Sequence, residues 1–282
     1  MLDFGCGTGI LALFAARRGA SVVAVERSPV VRLARAIAAK NGFEQRIRFF
    51  AGAGAELPDD LGPFDVIVSE WLGHFALNER MLDVLVPVRD RFLAPGGVML
   101  PRRVALRGAL LADGALFDEL RYFERPVHGF DYAVAGDWLL NEVHYRHFRP
   151  EQLRGPAFEL GAIDAATTRG GLPPLAGEVT LDEAAECHGV CGWFDAQLTE
   201  NVALSTSPLA PPTHWKQIFF PLPRPLRVVP GVPVRVSITP LSAGDATGLL
   251  WRWTIAHGAE RFDANDLVHR AWLRRKLEPG WL

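Results

Sequence analysis

The chain has 282 residues, of which 49 % are apolar and 22 % charged. That balance belongs to a folded globular protein of one large or two modest domains, and it excludes a disordered chain. The formal net charge of −2 leaves no basic excess of the kind that neutralises phosphates, so nucleic acid is not the expected partner. Three cysteines, Cys6, Cys187 and Cys191, are an odd and small number. Together with the lack of a secretory signal they point to reduced thiols in the cytoplasm, and no apolar run is long enough to span a bilayer.

In chain order, residues 1–4 read as the end of a buried strand and 5–9 as a glycine-rich turn. A helix is expected over 10–18, a β-branched strand over 21–26, and a helix over 29–40 with Ser28 as N-cap and Pro29 at its first position. Strands follow over 47–50 and 64–69, then an amphipathic helix over 77–92 and a strand starting at Gly97. Strands alternating with helices imply a parallel sheet covered on both faces.

The pattern changes near Pro101. Alternating segments over 104–111, 192–198, 216–222, 232–238 and 249–255 are separated by proline and glycine, which reads as a β-rich, barrel-like domain. An aromatic-rich, partly helical stretch over 115–148 interrupts it. A basic helical segment over 270–276 has the character of a solvated face. The domains expected are 1–101, an α/β Rossmann-like unit, and 102–282, a β-barrel unit with an insertion at about 115–148.

Residues 3–9 read D-F-G-C-G-T-G between a strand and a helix. Glycines allow a tight turn and close approach to a ligand, and the helix start supplies N–H groups and positive dipole. A nicotinamide or flavin loop carries its third glycine one position later, where Ile10 stands; here Gly5, Gly7 and Gly9 are more tightly spaced. Glu26 ends the second strand, where a carboxylate accepts hydrogen bonds from ribose hydroxyls. The spacing resembles the S-adenosylmethionine loop of class I methyltransferases.

The fourth strand runs into S-E-W-L-G-H-F-A-L-N-E-R-M-L at 69–82, just past the strand edge where open α/β sheets bind ligands. Two carboxylates facing one pocket, Glu70 and Glu79, suit a guanidinium with its five donors in a rigid fork. An isolated pair of glutamates more often means a capping acid and a solvated one. The S-E-W-x-G and E-x-M-L spacing, however, resembles the double-glutamate hairpin of protein arginine N-methyltransferases, and T-H-W-K-Q at 213–217 resembles that family's T-H-W loop. S-T-S-P at 205–208, H-G-V-C-G-W-F at 188–194, L-A-P-G-G at 93–97 and G-F-D at 129–131 stand in the family's order, so the resemblance runs from Met1 to about Ala256.

The resemblance implies methyl transfer from S-adenosylmethionine, with S-adenosylhomocysteine as the other product, to guanidinium nitrogens of an arginine-containing protein or peptide. It implies catalytic roles for Glu70, Glu79 and His214, with Glu79 or His214 taking the proton. It gives a substrate wall of Trp71, Met81 and Trp215, and a cofactor site of Asp3, Gly5, Gly7, Gly9, Glu26, Ala55 and Glu56. It also implies a homodimer formed through the inserted arm. No metal is expected: C-H-G-V-C at 187–191 lacks the second pair of ligands that zinc sites usually show.

Several features depart from the family. It carries helices before the glycine loop that cover the cofactor, contact its carboxylate with an arginine and pair an acid with the T-H-W histidine. The chain starts two residues before Asp3, so the resemblance implies an N-terminally truncated member. Ala55 and Glu56 stand where the family has a glutamate pair at the adenine, and His74 and Asn78 where tyrosine is common. A catalytically silent cofactor-binding or dimerisation module, and a methyltransferase for a small guanidino compound, remain as alternatives.

Overall fold

A computed structural model describes residues 1–171, 173–242 and 249–265. The N-terminal part alternates strand and helix: β1 (Leu2–Phe4), α1 (Ile10–Arg17), β2 (Val22–Glu26), α2 (Val31–Lys40), β3 (Ile47–Ala51), β4 (Phe64–Val68), α3 (Leu82–Phe92) and β5 (Leu93–Leu100). The strands form a parallel sheet in the order β3-β2-β1-β4-β5. The order reverses at β1, so the strand ends beside it open a crevice. Helices α1 and α2 pack on one face through Ala12, Ala16, Ala24 and Ala38. On the other face, α3 buries Leu82, Leu85 and Phe92 against Leu2, Phe4 and Ile67.

The remaining chain is mostly antiparallel. One sheet runs β7 (His144–Arg146), β12 (Gln217–Val228), β10 (Ala185–Thr199), β6 (Arg103–Leu111) and β8 (Leu153–Asp164), with β11 (Val202–Ser205) paired to β10. A second runs β15 (Glu260–Asn265), β14 (Leu249–His257), β13 (Val234–Ser242) and β9 (Leu175–Val179). The expected barrel is therefore a pair of sheets around a shared core of Phe194, Phe220, Trp251 and Trp253, not a ring closed by hydrogen bonds among the described residues. The insertion holds two short helices, α4 (Gly114–Leu120) and α5 (Ala133–Leu140), where a mixed helical stretch was expected. Leu116, Phe117, Leu120 and Leu140 pack there against Cys191, Trp193 and Phe219 on the sheet. Cys187 and Cys191 are fully buried in the packing of this region.

Two differences from the sequence expectation matter for the site. Helix α3 starts at Leu82 rather than residue 77, because the preceding loop follows another course. Phe75, Ala76 and Arg80 have φ of 51°, 56° and 53°. For residues with a Cβ that conformation costs roughly 1–2 kcal/mol each, so surrounding contacts must hold it. The basic segment expected over 270–276 lies outside the described residues.

The two parts share one core. The Phe75 ring lies 5.9 Å from that of Phe220 and 5.8 Å from that of Trp251. Gly192 leaves the space, since a Cβ there would sit 2.9 Å from Phe75. Buried Arg89 of α3 donates to the carbonyls of Ala165 (2.9 Å) and Thr168 (2.7 Å) beyond β8. The loop after β4, through Phe75, and helix α3, through Arg89, are each thereby fixed to the antiparallel half.

Candidate active site

Asp3 lies in the middle of β1, 1 % exposed, and its Oδ2 accepts the Ala12 N–H at 2.9 Å. It caps an otherwise free N–H in the first turn of α1, whose N-cap Gly9 offers no side chain. Burial pushes the Asp3 carboxyl up to about 6; the Ala12 bond works against this and the charge of Glu26 adds to it. Asp3 lies behind the loop and not among the residues that line the cavity. It is held inside and shapes the loop.

Gly5, Gly7 and Gly9 all have left-handed φ, at 77°, 54° and 83°. They do different things. A Cβ on Gly5 would point at Met81, 3.9 Å from its Cε, across the mouth of a cavity. A Cβ on Gly9 would make only ordinary contact with Ala34 and Phe49 at 3.6 Å, so there the left-handed φ and not the space calls for glycine. The Gly7 N–H donates to Glu26 Oε2 at 3.1 Å and the Ser28 N–H to Oε1 at 2.7 Å. Burial raises the Glu26 carboxyl, yet the Ser28 and Gly7 bonds and the charge of Arg27 outweigh it and hold the carboxyl below its ordinary range. Each carboxylate oxygen keeps a lone pair for an incoming hydroxyl.

The cavity has a volume of about 250 Å³ and is lined by Phe4, Gly5, Glu26, the backbone of Gly52–Gly54, Glu70, Glu79, Met81 and Val84. Ala55 is not part of this wall, and Glu56 turns back so that its Oε2 accepts the Ala53 N–H at 2.7 Å. The cavity wall here is formed by Gly52, Ala53 and Gly54, next to the adenine positions expected at Ala55 and Glu56. Ala53 and Gly54 face the space, and neither carries a polar side chain.

Glu70 follows β4 and its Oε1 accepts the Leu72 N–H at 2.9 Å. Glu79 comes back to the same cavity because the loop closes at Gly73. At φ 36°, a Cβ on Gly73 would sit 2.9 Å from Glu79 Cγ and 3.1 Å from Glu79 N, so only glycine fits there. Both carboxylates are exposed to the cleft. Trp71 is 1 % exposed and lies in the core with its Nε1 unpartnered. Met81 does line the cavity.

The T-H-W segment does not line this cavity, and His74 is the residue that feels both Glu79 and His214. His214 is exposed and its ring is 4.1 Å from that of Trp215, which packs edge-on against Phe194 at 5.6 Å. Buried Gln217 fixes this segment by donating to Thr206 O at 2.7 Å and accepting the Phe148 N–H at 2.8 Å. That explains why S-T-S-P and T-H-W occur together, a supporting role for Gln217 that the sequence reading missed. His74 sits between the two loops, its ring edge-on to Tyr145 at 4.8 Å. Burial lowers the His74 imidazole; the positive charges of Lys216 and His214 reinforce this and the negative charge of Glu79 opposes it. Glu70, Glu79, Met81, Glu26 and Gly5 therefore meet in one cavity, with His74 joining it electrostatically to His214.

The glycine cradle, the carboxylate at the end of β2 and the bare backbone at 52–54 fit an adenosyl ligand, and the two outer carboxylates fit a planar cation. Residues 1–97 match the family profile of a methyltransferase domain, and residues 108–245 that of the arginine methyltransferase oligomerization subdomain. Protein arginine N-methyltransferase 1 of Schizosaccharomyces pombe is 32 % identical over 245 residues, covering 85 % of this chain and 72 % of its own length. The Chlamydomonas reinhardtii protein of that name is 31 % identical over 226 residues, covering 78 % of this chain and 66 % of its own. The chain spans about two thirds of the length of such curated relatives. Among solved structures, the Trypanosoma brucei PRMT1 enzyme-prozyme heterotetrameric complex with AdoHcy superposes with a TM-score of 0.83 at 28 % identity, covering 93 % of this chain and 88 % of that one. Arabidopsis thaliana protein arginine methyltransferase 10, in an open conformation, superposes with a TM-score of 0.77 at 23 % identity over 94 % of this chain and 88 % of that one, which shows a shared fold.

Proposed function

The chain belongs to the protein arginine N-methyltransferase family, and from that premise we propose that its cleft transfers a methyl group from S-adenosylmethionine to a guanidinium nitrogen of a protein arginine. The observation that carries the proposal is the convergence of Gly5 and Glu26 with Glu70, Glu79 and Met81 on one cavity. Glu26 and the backbone at Gly52–Gly54 hold the nucleoside end. When bound, the cofactor supplies a methyl group activated on a sulfonium.

Glu70 and Glu79 hold the guanidinium by charge-assisted hydrogen bonds and aim one terminal nitrogen along the line of attack. Orientation of this kind lowers a barrier by several kcal/mol, on the order of 7 when complete. Two negative charges on one side also draw the positive charge of the guanidinium away from the attacking nitrogen. As the N–CH₃ bond forms and the S–CH₃ bond breaks, the nitrogen gives up a proton to Glu79 or His214, the bases at that end of the cleft. Trp215 borders the arginine channel, where an indole face favours a cation.

We take residues 1–101 as the cofactor domain and 102–282 as the substrate domain. A homodimer is proposed through the arm. Tyr122 and Phe130 of the arm are 60 % and 68 % exposed, and Ile10, Phe14 and Leu33 on the outer face of α1 and α2 are about half exposed. The arm carries more acids than arginines, although Glu124 and Glu119 pair with its own Arg121 and Arg146, whereas α1 and α2 carry Arg17, Arg32, Arg35 and Lys40 and no acid. Apolar and charge complementarity together favour docking of one copy's arm on the other's helices. Three free, buried cysteines support a reducing, cytoplasmic setting. No helix among the described residues is long and apolar enough to cross a membrane.

The test offers the intact protein methyl-labelled S-adenosylmethionine with an arginine-rich peptide, its lysine counterpart and free guanidinoacetate. Label on the arginine peptide alone is expected. Label on guanidinoacetate alone contradicts the protein-substrate reading.

A further inference from the structure

Glu79 is flanked by two residues that both reach across to the antiparallel half. Asn78 Oδ1 accepts the N–H of Leu249, the first residue of β14, at 3.2 Å. Arg80 Nη1 donates to Ser242 Oγ, at the last residue of β13, at 2.7 Å. Ser242 and Leu249 are cross-strand partners in the β13–β14 hairpin, so both tethers end on a single pair. The Arg80 guanidinium is fixed further by Asp83, whose Oδ2 accepts from Nε at 3.0 Å and from Nη2 at 2.8 Å.

The backbone between these tethers has no freedom of its own. Arg80 holds φ 53°, a left-handed conformation without glycine, and the chain at Gly73 passes so near that a Cβ there would sit 2.9 Å from Glu79 Cγ. Glu70, by contrast, stands at the end of β4 and is tied locally to Leu72. One carboxylate of the pair is thus mounted on the parallel sheet, and the other hangs from the far end of a β-hairpin more than 160 residues away in the chain.

We infer that Asn78, Arg80 and Ser242 are positioning residues for Glu79, and that the end of the β13–β14 hairpin sets the separation of the two carboxylates that grip the guanidinium. The inference rests on the proposed function and deepens it. A guanidinium is a rigid fork, so a clamp opened by about 1 Å loses one of its two grips, and misplacement on that scale costs up to about a hundredfold in rate.

The experiment measures affinity for an arginine peptide at saturating S-adenosylhomocysteine, by calorimetry, in the intact protein and in Ser242→Ala, Asn78→Ala, Arg80→Ala and Arg80→Lys. Each substitution is made both with Glu79 present and in a Glu79→Gln background. Ser242 is exposed, so Ser242→Ala tests the tether without a core change. S-adenosylhomocysteine affinity within about twofold of the parent is expected, with peptide affinity down about five- to tenfold where Glu79 is present and no further fall in the Glu79→Gln background. Arg80→Lys, which still reaches Ser242, is expected to keep more affinity than Arg80→Ala. Unchanged peptide affinity, an equal fall in both backgrounds, or loss of S-adenosylhomocysteine binding in Ser242→Ala each overturns the positioning role. A parent protein that binds S-adenosylhomocysteine but neither binds nor methylates the peptide overturns the proposed function itself.

Discussion

The Asp3 carboxylate accepts the Ala12 N–H at 2.9 Å from inside the protein, and so fixes the glycine turn without touching the cavity. Its carboxyl is pushed up to about 6, first by burial. The folded state therefore binds this proton more tightly than the unfolded state does. Stability from this group is greatest below about pH 4 and falls as pH rises to about 6, by roughly 3 kcal/mol over that window. Asp3→Asn keeps an acceptor for Ala12 and has no charge to bury. Urea denaturation at pH 4 to 7 is expected to show the parent losing stability relative to Asp3→Asn across that window; parallel profiles contradict the assignment.

Glu26 holds the turn, since its two oxygens accept from Gly7 and Ser28, and it keeps lone pairs free for the ribose proposed there. Glu26→Gln replaces an acceptor of four lone pairs by an amide. Calorimetric titration is expected to show S-adenosylhomocysteine binding weakened by about ten- to a hundredfold. A dissociation constant equal to the parent's removes Glu26 from the cofactor site.

Arg89 is a stability element rather than a site residue. Its Nη1 donates to the carbonyls of Ala165 and Thr168, and its Nε and Nη2 to Asp90. Arg89→Met fills similar volume but leaves both carbonyls unpaired between the two halves. A loss of about 3 kcal/mol in chemical denaturation is expected. A loss below about 1 kcal/mol means that water replaces the guanidinium there.

The parallel half was legible in the sequence because each signal there is local. Glycines at 5, 7 and 9 demanded left-handed turns, and the step from helical to alternating periodicity at Pro101 marked the change of sheet type. Motif membership says less about where a side chain lies. Trp71 lies within the double-glutamate segment, yet its indole is in the core; Glu56 occupies an adenine position, yet turns onto Ala53. The tethers at Asn78 and Arg80 join residues far apart in the chain, and the left-handed Phe75, Ala76 and Arg80 lack the glycine that announces such a turn. Whether the β-sheets close depends on tilt and register, which alternation alone does not encode.

The arm and the outer face of α1 are expected to meet between two copies. Phe14 on α1 and Phe130 on the arm expose large apolar surfaces. Phe14→Asp and Phe130→Ala are each expected to raise the dimer dissociation constant at least about tenfold, as read by sedimentation velocity over a concentration series. Unchanged sedimentation in both variants excludes this interface.

The central claim is that Glu70 and Glu79 form one clamp for a guanidinium. Its most direct measurement is single-turnover methylation of an arginine peptide by the parent, Glu70→Gln and Glu79→Gln, with S-adenosylhomocysteine affinity determined in parallel. The account predicts that each substitution slows transfer by at least about a hundredfold while cofactor affinity stays within about threefold. Transfer at the parent's rate in either variant, with the cofactor bound, contradicts it.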